Sequence, residues 1–202
     1  MTRTVGIVLF PGMEELDFVG PLEVFGMLGF VSQGEWRVVT IAESPEIVPA
    51  YNGLKVRADY SFDNAPPLDV VLVPGGLGSR KEMDNPRMLD FVRQAGGDAA
   101  WVTSVCTGAF ILHRAGFLAG KRATTHWGAI QTLSDLGDVE VVDNERWVQD
   151  GNVITAAGVS AGIDMSLFLV SLLRDADTAR NVQKMMEYYP KPPSFEPKEA
   201  RA

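Results

Sequence analysis

Ala100-Trp101-Val102-Thr103-Ser104-Val105-Cys106-Thr107-Gly108-Ala109 is the stretch that decides the fold. An apolar, β-branched run stops at the chain's only cysteine, and Thr107-Gly108 leads into a helical pattern, Ala109-Phe110-Ile111-Leu112. A strand that turns sharply into a helix leaves its turn residue at the carboxyl edge of a sheet, with the side chain exposed above it. A small residue must follow so that the backbone folds back without clash, and Gly108 fits. Helix N-terminal amides then favour an anion in the turn, so a thiol held there is expected to ionise more readily than a free one. The plain alternative is a small buried hydrophobe. Position at a strand-to-helix turn beside glycine makes Cys106 the first candidate for chemistry.

Outward from this turn the chain alternates strands and helices. Thr4 to Phe10 is apolar at nearly every position, as a strand covered on both faces reads. Pro11-Gly12 turns it, Glu14-Glu15-Leu16-Asp17 follows, and Phe18, Leu22 and Phe25 fall on one helical face. Pro21 is expected in that helix's first turn, where its missing N–H costs nothing. The acids then sit at the same sheet edge as Cys106. Asp17 is either an N-terminal cap or an acid or base beside the thiol. Pattern alone does not choose among Asp17, Glu14 and Glu15.

Residues 37–42 read as a second strand, 44–49 as a loop, and 54–59 as a half-exposed strand or hairpin arm. The run 68–73 reads as another buried strand ending in Pro74-Gly75-Gly76-Leu77-Gly78. That turn either aims backbone amides at an oxyanion or is glycine-rich only because it is tight. No Lys-Ser/Thr follows it, so it is not a Walker loop. Pro86 opens a helix closed by Gly96-Gly97, and the helix after Cys106 runs to about Ala115, with His113 near its end as a surface residue. Ala123-Thr124-Thr125-His126-Trp127 is followed by a helix to about Leu136. Asp150-Gly151 signals a hairpin. Gly158-Val159-Ser160-Ala161-Gly162 opens what reads as the longest apolar helix, with Ser160 its expected cap, and a last helix runs from Asp177 to about Tyr188.

The pattern specifies an α/β fold: a doubly wound, mainly parallel sheet sandwiched by helices. The 202 residues suit one domain, placed at 1–190, with a Pro-rich and mobile tail at 191–202. Hydrophobic content of 46% and charged content of 22% are those of an ordinary globule. A net charge of −8 with no basic run argues against nucleic acid. No apolar segment is long enough to span a bilayer, and no signal peptide is read at the start, so a cytoplasmic protein without a membrane partner is expected. One cysteine excludes an internal disulfide, and with two histidines it excludes the common zinc patterns.

Asp17 before Phe-Val-Gly-Pro-Leu-Glu-Val-Phe, Pro74-Gly75-Gly76, the Cys106 turn, the Thr124-Thr125-His126-Trp127 block and Gly158-Val159-Ser160-Ala161-Gly162-Ile163-Asp164 together resemble the ThiJ/PfpI superfamily, most closely its isocyanide hydratase branch. Sensor domains of AraC-type regulators carry very similar blocks. The resemblance implies a flavodoxin-like sandwich, also akin to class I glutamine amidotransferases, with Cys106 in a strained nucleophile elbow. It implies a homodimer acting on a small-molecule substrate. Asp17 would be the acid paired with Cys106, and Thr107 and the Gly76 amide would position water or steady charge. Glu15, His126 and Trp127 are second-rank site candidates, and His126 has a purely structural alternative as a hydrogen-bonded ring beside Trp127. The superfamily's protease-like branch has histidine directly after the cysteine. Thr107 stands there, which argues against proteolysis. The expected reaction is hydration of an isocyanide to an N-substituted formamide through a thioimidate, with no cofactor and no metal. The rivals are a cofactor-free glyoxalase acting on 2-oxoaldehydes, and a non-enzymatic redox or ligand sensor.

Overall fold

A computed structural model describes residues 2–190. The expected mobile tail at 191–202 lies outside the described residues.

Eleven strands and seven helices follow in order: β1 (Arg3–Leu9), α1 (Glu15–Val31), β2 (Trp36–Ala42), β3 (Ile47–Pro49), β4 (Lys55–Arg57), β5 (Tyr60–Ser61), β6 (Val70–Val73), α2 (Ser79–Glu82), α3 (Pro86–Asp98), β7 (Trp101–Val105), α4 (Gly108–Arg114), β8 (Lys121–Ala123), α5 (Ile130–Asp135), β9 (Val139–Val141), β10 (Trp147–Asp150), β11 (Val153–Ala156), α6 (Ala161–Leu173) and α7 (Ala176–Met185). A single 3-10 turn, Trp127–Ala129, precedes α5.

The main sheet has the order β10-β11-β7-β6-β1-β2-β5. Every pairing in it is parallel except the β10–β11 hairpin, which turns at Gly151 as the sequence signals. Helices α1, α6 and α7 pack together on one face, and α2, α3 and α4 on the other. This covering explains the unbroken apolar strands: in β1 every residue after Arg3 is buried, and β6 and β11 are buried throughout. Phe10, Phe25, Phe110 and Leu72 are among the fully buried side chains, each contributing about 1.5–3 kcal/mol of transfer free energy.

Several local expectations are corrected. Helix α1 begins at Glu15, so Pro21 lies inside it rather than in its first turn. The missing Pro21 N–H leaves one turn of α1 without its ladder bond, and the ring packs toward α6, where a Cβ on Gly162 would stand 3.4 Å from Pro21 Cγ. Helix α1, at 17 residues, is longer than α6 at 13. The loop expected at 44–49 contains β3, which pairs antiparallel with β4. Helix α3 runs past Gly96-Gly97 to Asp98. Ser160 occupies the cap position of α6 without capping it, and its Oγ accepts from Arg146 instead, at 3.3 Å. His113 is half-buried, with Nε2 2.7 Å from the Gly137 carbonyl.

The strand register sets up the site. Val73 is opposite Ser104, and Val105 is opposite Ala156, so β6, β7 and β11 end side by side. The segments leaving them, Pro74-Gly75, Cys106-Thr107 and Ala157-Gly158, therefore meet at one edge. The start of α1, following β1, completes it.

Candidate active site

Cys106 stands between β7 and α4 with φ of 55°, a left-handed conformation rare outside glycine. Such strain persists only where the surroundings hold it. Here the Cys106 N–H donates to the Ala157 carbonyl at 2.6 Å, and the Cys106 carbonyl accepts from Thr125 Oγ1 at 2.8 Å. Gly108 is required because a Cβ there would lie 2.2 Å from the Val73 carbonyl oxygen. The nucleophile elbow expected from the sequence is thus present in its geometry. Its side chain is not exposed, however: Cys106 is 7% accessible, at the floor of a cleft of about 360 Å³.

Asp17 lies in the first turn of α1, fully buried. It does not cap the helix. Its Oδ2 accepts from the Gly75 N–H at 2.9 Å, and its Oδ1 is buried with no hydrogen-bond partner. The thiol is its neighbour, and each group shifts the other. Burial pushes the Asp17 carboxyl up to about 7; the Gly75 N–H opposes this, nearby Glu14 adds to it, and the thiol opposes it. Burial pushes the Cys106 thiol up to about 12, and the Asp17 charge reinforces it against the Thr107 N–H and hydroxyl. The expectation of an easily ionised thiol is therefore corrected. Desolvation and a neighbouring carboxylate outweigh the short helix α4. At neutral pH the sulfur holds the proton and the carboxyl is poised to take it.

Thr107 is buried, and its hydroxyl meets the Gly76 N–H at 3.0 Å, the Gly76 carbonyl at 3.1 Å and Ser79 Oγ at 2.8 Å. The Gly76 amide is thereby occupied, which corrects the expectation that it faces a developing charge. The free donor toward sulfur is the Thr107 backbone N–H. Glu15 turns away from the thiol: it accepts from Asn52 N and Nδ2 at 2.7 and 2.8 Å and so fixes the loop that carries Tyr51. Burial is the largest single influence and opposes its ionisation, but together the hydrogen bonds from its own backbone, Asn52 and Leu54 hold its carboxyl below the usual range.

His126 and Trp127 line the cleft with Cys106. His126 Nδ1 accepts from the Gly128 N–H at 3.2 Å, and its ring lies 5.3 Å from that of Trp127, as its structural alternative requires. The same bond leaves Nε2 to carry the proton of the neutral ring. A Cβ on Gly158 would stand 2.6 Å from His126 Cδ2 and 3.2 Å from Cys106 Sγ, so Gly158 is what lets the two side chains share a wall. Phe18, one residue after Asp17, is core and does not line the cleft. Tyr51, Leu77, Arg80 and Val159 complete the lining and were not foreseen, because they come from loops and the short α2 with no periodic signature. A larger groove of about 430 Å³ under Phe62 and Phe91, at the amino edge of the sheet, has no cysteine, serine, threonine or histidine on its wall. Among the described residues no three His, Cys, Asp or Glu side chains are grouped to hold a metal ion, and no helix is long and apolar enough to cross a membrane.

The model of the DJ-1/PfpI family matches residues 3–172, which span both the Asp17 and Cys106 turns. The chain belongs to the DJ-1/PfpI family. It is 42% identical over 193 residues to the isonitrile hydratase of Pseudomonas putida, covering 96% of this chain and 82% of that one. A solved ThiJ/PfpI family protein from Pseudomonas syringae superimposes with a TM-score of 0.88 at 35% identity, over 96% of this chain and 78% of that one. The HTH-type transcriptional regulator GbdR of Pseudomonas aeruginosa is 25% identical over 187 residues, 92% of this chain but 51% of the regulator. Within the family, then, the likeness is stronger to a hydratase than to this regulator, which it reaches over only half of the regulator's length.

Proposed function

We propose that this protein is an isocyanide hydratase, converting R–N≡C and water to R–NH–CHO. The observation that carries the reading is a single-cysteine elbow whose thiol abuts a fully buried carboxyl with one oxygen unpartnered. The 42% likeness to a hydratase over nearly the whole chain supports it.

The terminal carbon of an isocyanide accepts a nucleophile and, in the same event, a proton. As Cys106 Sγ attacks, its proton passes to Asp17, whose elevated pKa makes it able to take and return that proton near neutrality. Asp17 delivers it to the same carbon, giving the thioimidate Cys106-S–CH=N–R. Water then adds across C=N, its oxygen to carbon and a proton to nitrogen, with Asp17 as the base that moves the proton. Collapse of the adduct breaks C–S, forms the formyl C=O and returns the last proton to sulfur. The Thr107 N–H supports charge on sulfur during both transfers.

The protein works as a homodimer in the cytoplasm, where a lone thiol stays reduced. Leu16 and Val19, 39% and 37% exposed one turn apart on α1, form an apolar strip that a second copy would cover. Sedimentation at micromolar concentration tests this: a monomer removes the dimer. For the activity, formamide production from phenyl isocyanide is followed by ultraviolet absorbance for the wild type and Cys106→Ala. Cysteine-dependent turnover is expected. If the folded wild type leaves phenyl isocyanide untouched but consumes methylglyoxal, the reading moves to the glyoxalase.

A further inference from the structure

The cleft above Cys106 holds more than hydration of a small neutral isocyanide requires. Tyr51, Leu77 and Trp127 on its wall are 53%, 57% and 80% exposed, large apolar side chains left uncovered among the described residues. Val159 adds a fourth apolar contact. Among the described residues lining the cleft, Arg80 is the one with a permanent positive charge. It has no carboxylate partner among the described residues, although eight other Arg and Lys side chains do. It is also not loose. Its guanidinium carbon lies 5.7 Å from the Phe110 ring centroid, and Nη1 reaches the Gly76 carbonyl at 3.5 Å. Phe110 is on α4, the helix that follows Cys106, and Gly76 is bound by Thr107, so Arg80 is referenced to the nucleophile through two contacts.

Hydration leaves Arg80 without a role, because the isocyanide is neutral and the proton traffic runs through Asp17. Glu14, the acid on the same wall, faces Asn52 at 3.4 Å. An oriented, unpaired guanidinium beside an aromatic wall has the form of a reader for an anion carried on an apolar group. We infer that the cleft selects isocyanides whose apolar or aromatic R group bears a carboxylate, with R against Tyr51, Leu77 and Trp127 and the carboxylate on Arg80. A cleft of about 360 Å³ is in the range of small-molecule sites and holds an aryl group of this size.

This inference rests on the hydratase reading, and the test separates the two. Product analogues are titrated calorimetrically into the wild type and Arg80→Gln: formanilide against 3- and 4-formamidobenzoate. The wild type is expected to bind at least one carboxylate about fivefold or more tightly than formanilide, the worth of one well-placed ion pair at a surface. Arg80→Gln is expected to abolish that preference. In the wild type it should fall at least about twofold between roughly 50 and 500 mM salt. Equal binding of charged and neutral analogues, a preference that survives Arg80→Gln, or one indifferent to salt overturns the inference. Turnover of neutral phenyl isocyanide, read in parallel, judges the hydratase reading by itself. Where turnover is present, the ratio of kcat/KM for 4-isocyanobenzoate over phenyl isocyanide should drop about fivefold in Arg80→Gln.

Discussion

The Gly75 N–H donates to Asp17 Oδ2 at 2.9 Å, and Gly75 also keeps open the space in which Asp17 and Cys106 meet. A Cβ at position 75 would stand 2.9 Å from Asp17 Oδ2, 2.8 Å from Cys106 Cβ and 2.5 Å from the Thr107 amide nitrogen. Two of those three atoms belong to the elbow itself, whose backbone is pinned and cannot give way. Gly75→Ala should therefore separate acid from thiol. The expected result is a loss of stability of about 1–3 kcal/mol, as for other overpacked sites. A fall in kcat/KM of roughly a hundredfold should accompany it, since small misplacements of reacting groups cost that much. Gly97, exposed in α3 with nothing within 4 Å of its built Cβ, is the control. Gly97→Ala should leave activity intact and gain up to about 1 kcal/mol. Urea denaturation and initial rates on the two variants check both statements.

Asp17 couples catalysis to stability with a definite sign. Its carboxyl moves from an ordinary 3.8 to about 7 on folding, because burial disfavours the charge. A raised folded-state pKa means that its contribution is fully present below about 4, where both states are protonated, and is lost as pH rises toward and through 7. At about 1.4 kcal/mol per unit, the loss is on the order of a few kcal/mol. Asp17→Asn keeps the acceptor for the Gly75 N–H and cannot ionise. It should match the wild type near pH 4 and exceed it in stability by a few kcal/mol at pH 8, while turnover falls by at least about a hundredfold. In the wild type, kcat/KM should climb through an apparent pKa near 7, as the carboxylate that receives the thiol proton forms. Denaturation at pH 4, 6 and 8 decides; an Asn variant no more stable at pH 8 would contradict the burial argument.

Where sequence succeeded and failed follows from the range of the forces involved. The strand-to-helix turn at Cys106 and its need for Gly108 were legible because strain and steric relief are settled within three residues. The buried parallel strands were legible because the cores of β1 and β6 are apolar without alternation. Pro21 was misplaced because its helix starts one turn earlier, at Glu15, and the proline is tolerated by packing against α6, a contact 141 residues away in the chain. The thiol's acidity was misjudged for the same reason. The favourable α4 terminus is local, whereas the burial and the Asp17 charge that outweigh it arrive through the tertiary fold. Arg80, Tyr51 and Leu77 were invisible because nothing in the neighbouring residues marks which loop side chains face a common cleft.

Thr107 is the hub that holds the glycine loop to the elbow. Its hydroxyl meets Gly76 N–H and Ser79 Oγ at 3.0 and 2.8 Å, and it is almost fully buried. Thr107→Val keeps the volume and removes the hydroxyl, leaving the Gly76 amide unpaired and Ser79 Oγ with only the Gly76 carbonyl, 2.8 Å away. The cost should be about 1–3 kcal/mol. Since the Thr107 backbone N–H toward sulfur remains, the fall in kcat should be partial, about tenfold to a hundredfold, with KM moving less. Thr107→Ser restores the hydroxyl and should recover most of both losses. A valine variant with wild-type kcat would show that the Gly76 loop holds its place without the hydroxyl.

Cys106 should be a sluggish thiol until substrate arrives. Burial and the Asp17 charge push its pKa up to about 12, so the thiolate fraction at pH 8 is far below that of a free cysteine. Iodoacetamide should alkylate it at least about tenfold more slowly than it alkylates glutathione at that pH. Asp17→Asn removes the second-largest cause of the elevation, the neighbouring negative charge, while leaving the burial. It should therefore speed alkylation even as it abolishes hydration. Opposite movements of alkylation and turnover in one variant separate the role of Asp17 as proton carrier from any role in ionising the thiol beforehand. If Asp17→Asn slows alkylation instead, the carboxylate activates the thiol in the resting protein, and the proton reaches Asp17 before the attack rather than with it. Mass spectrometry of the single cysteine gives the alkylation rate directly.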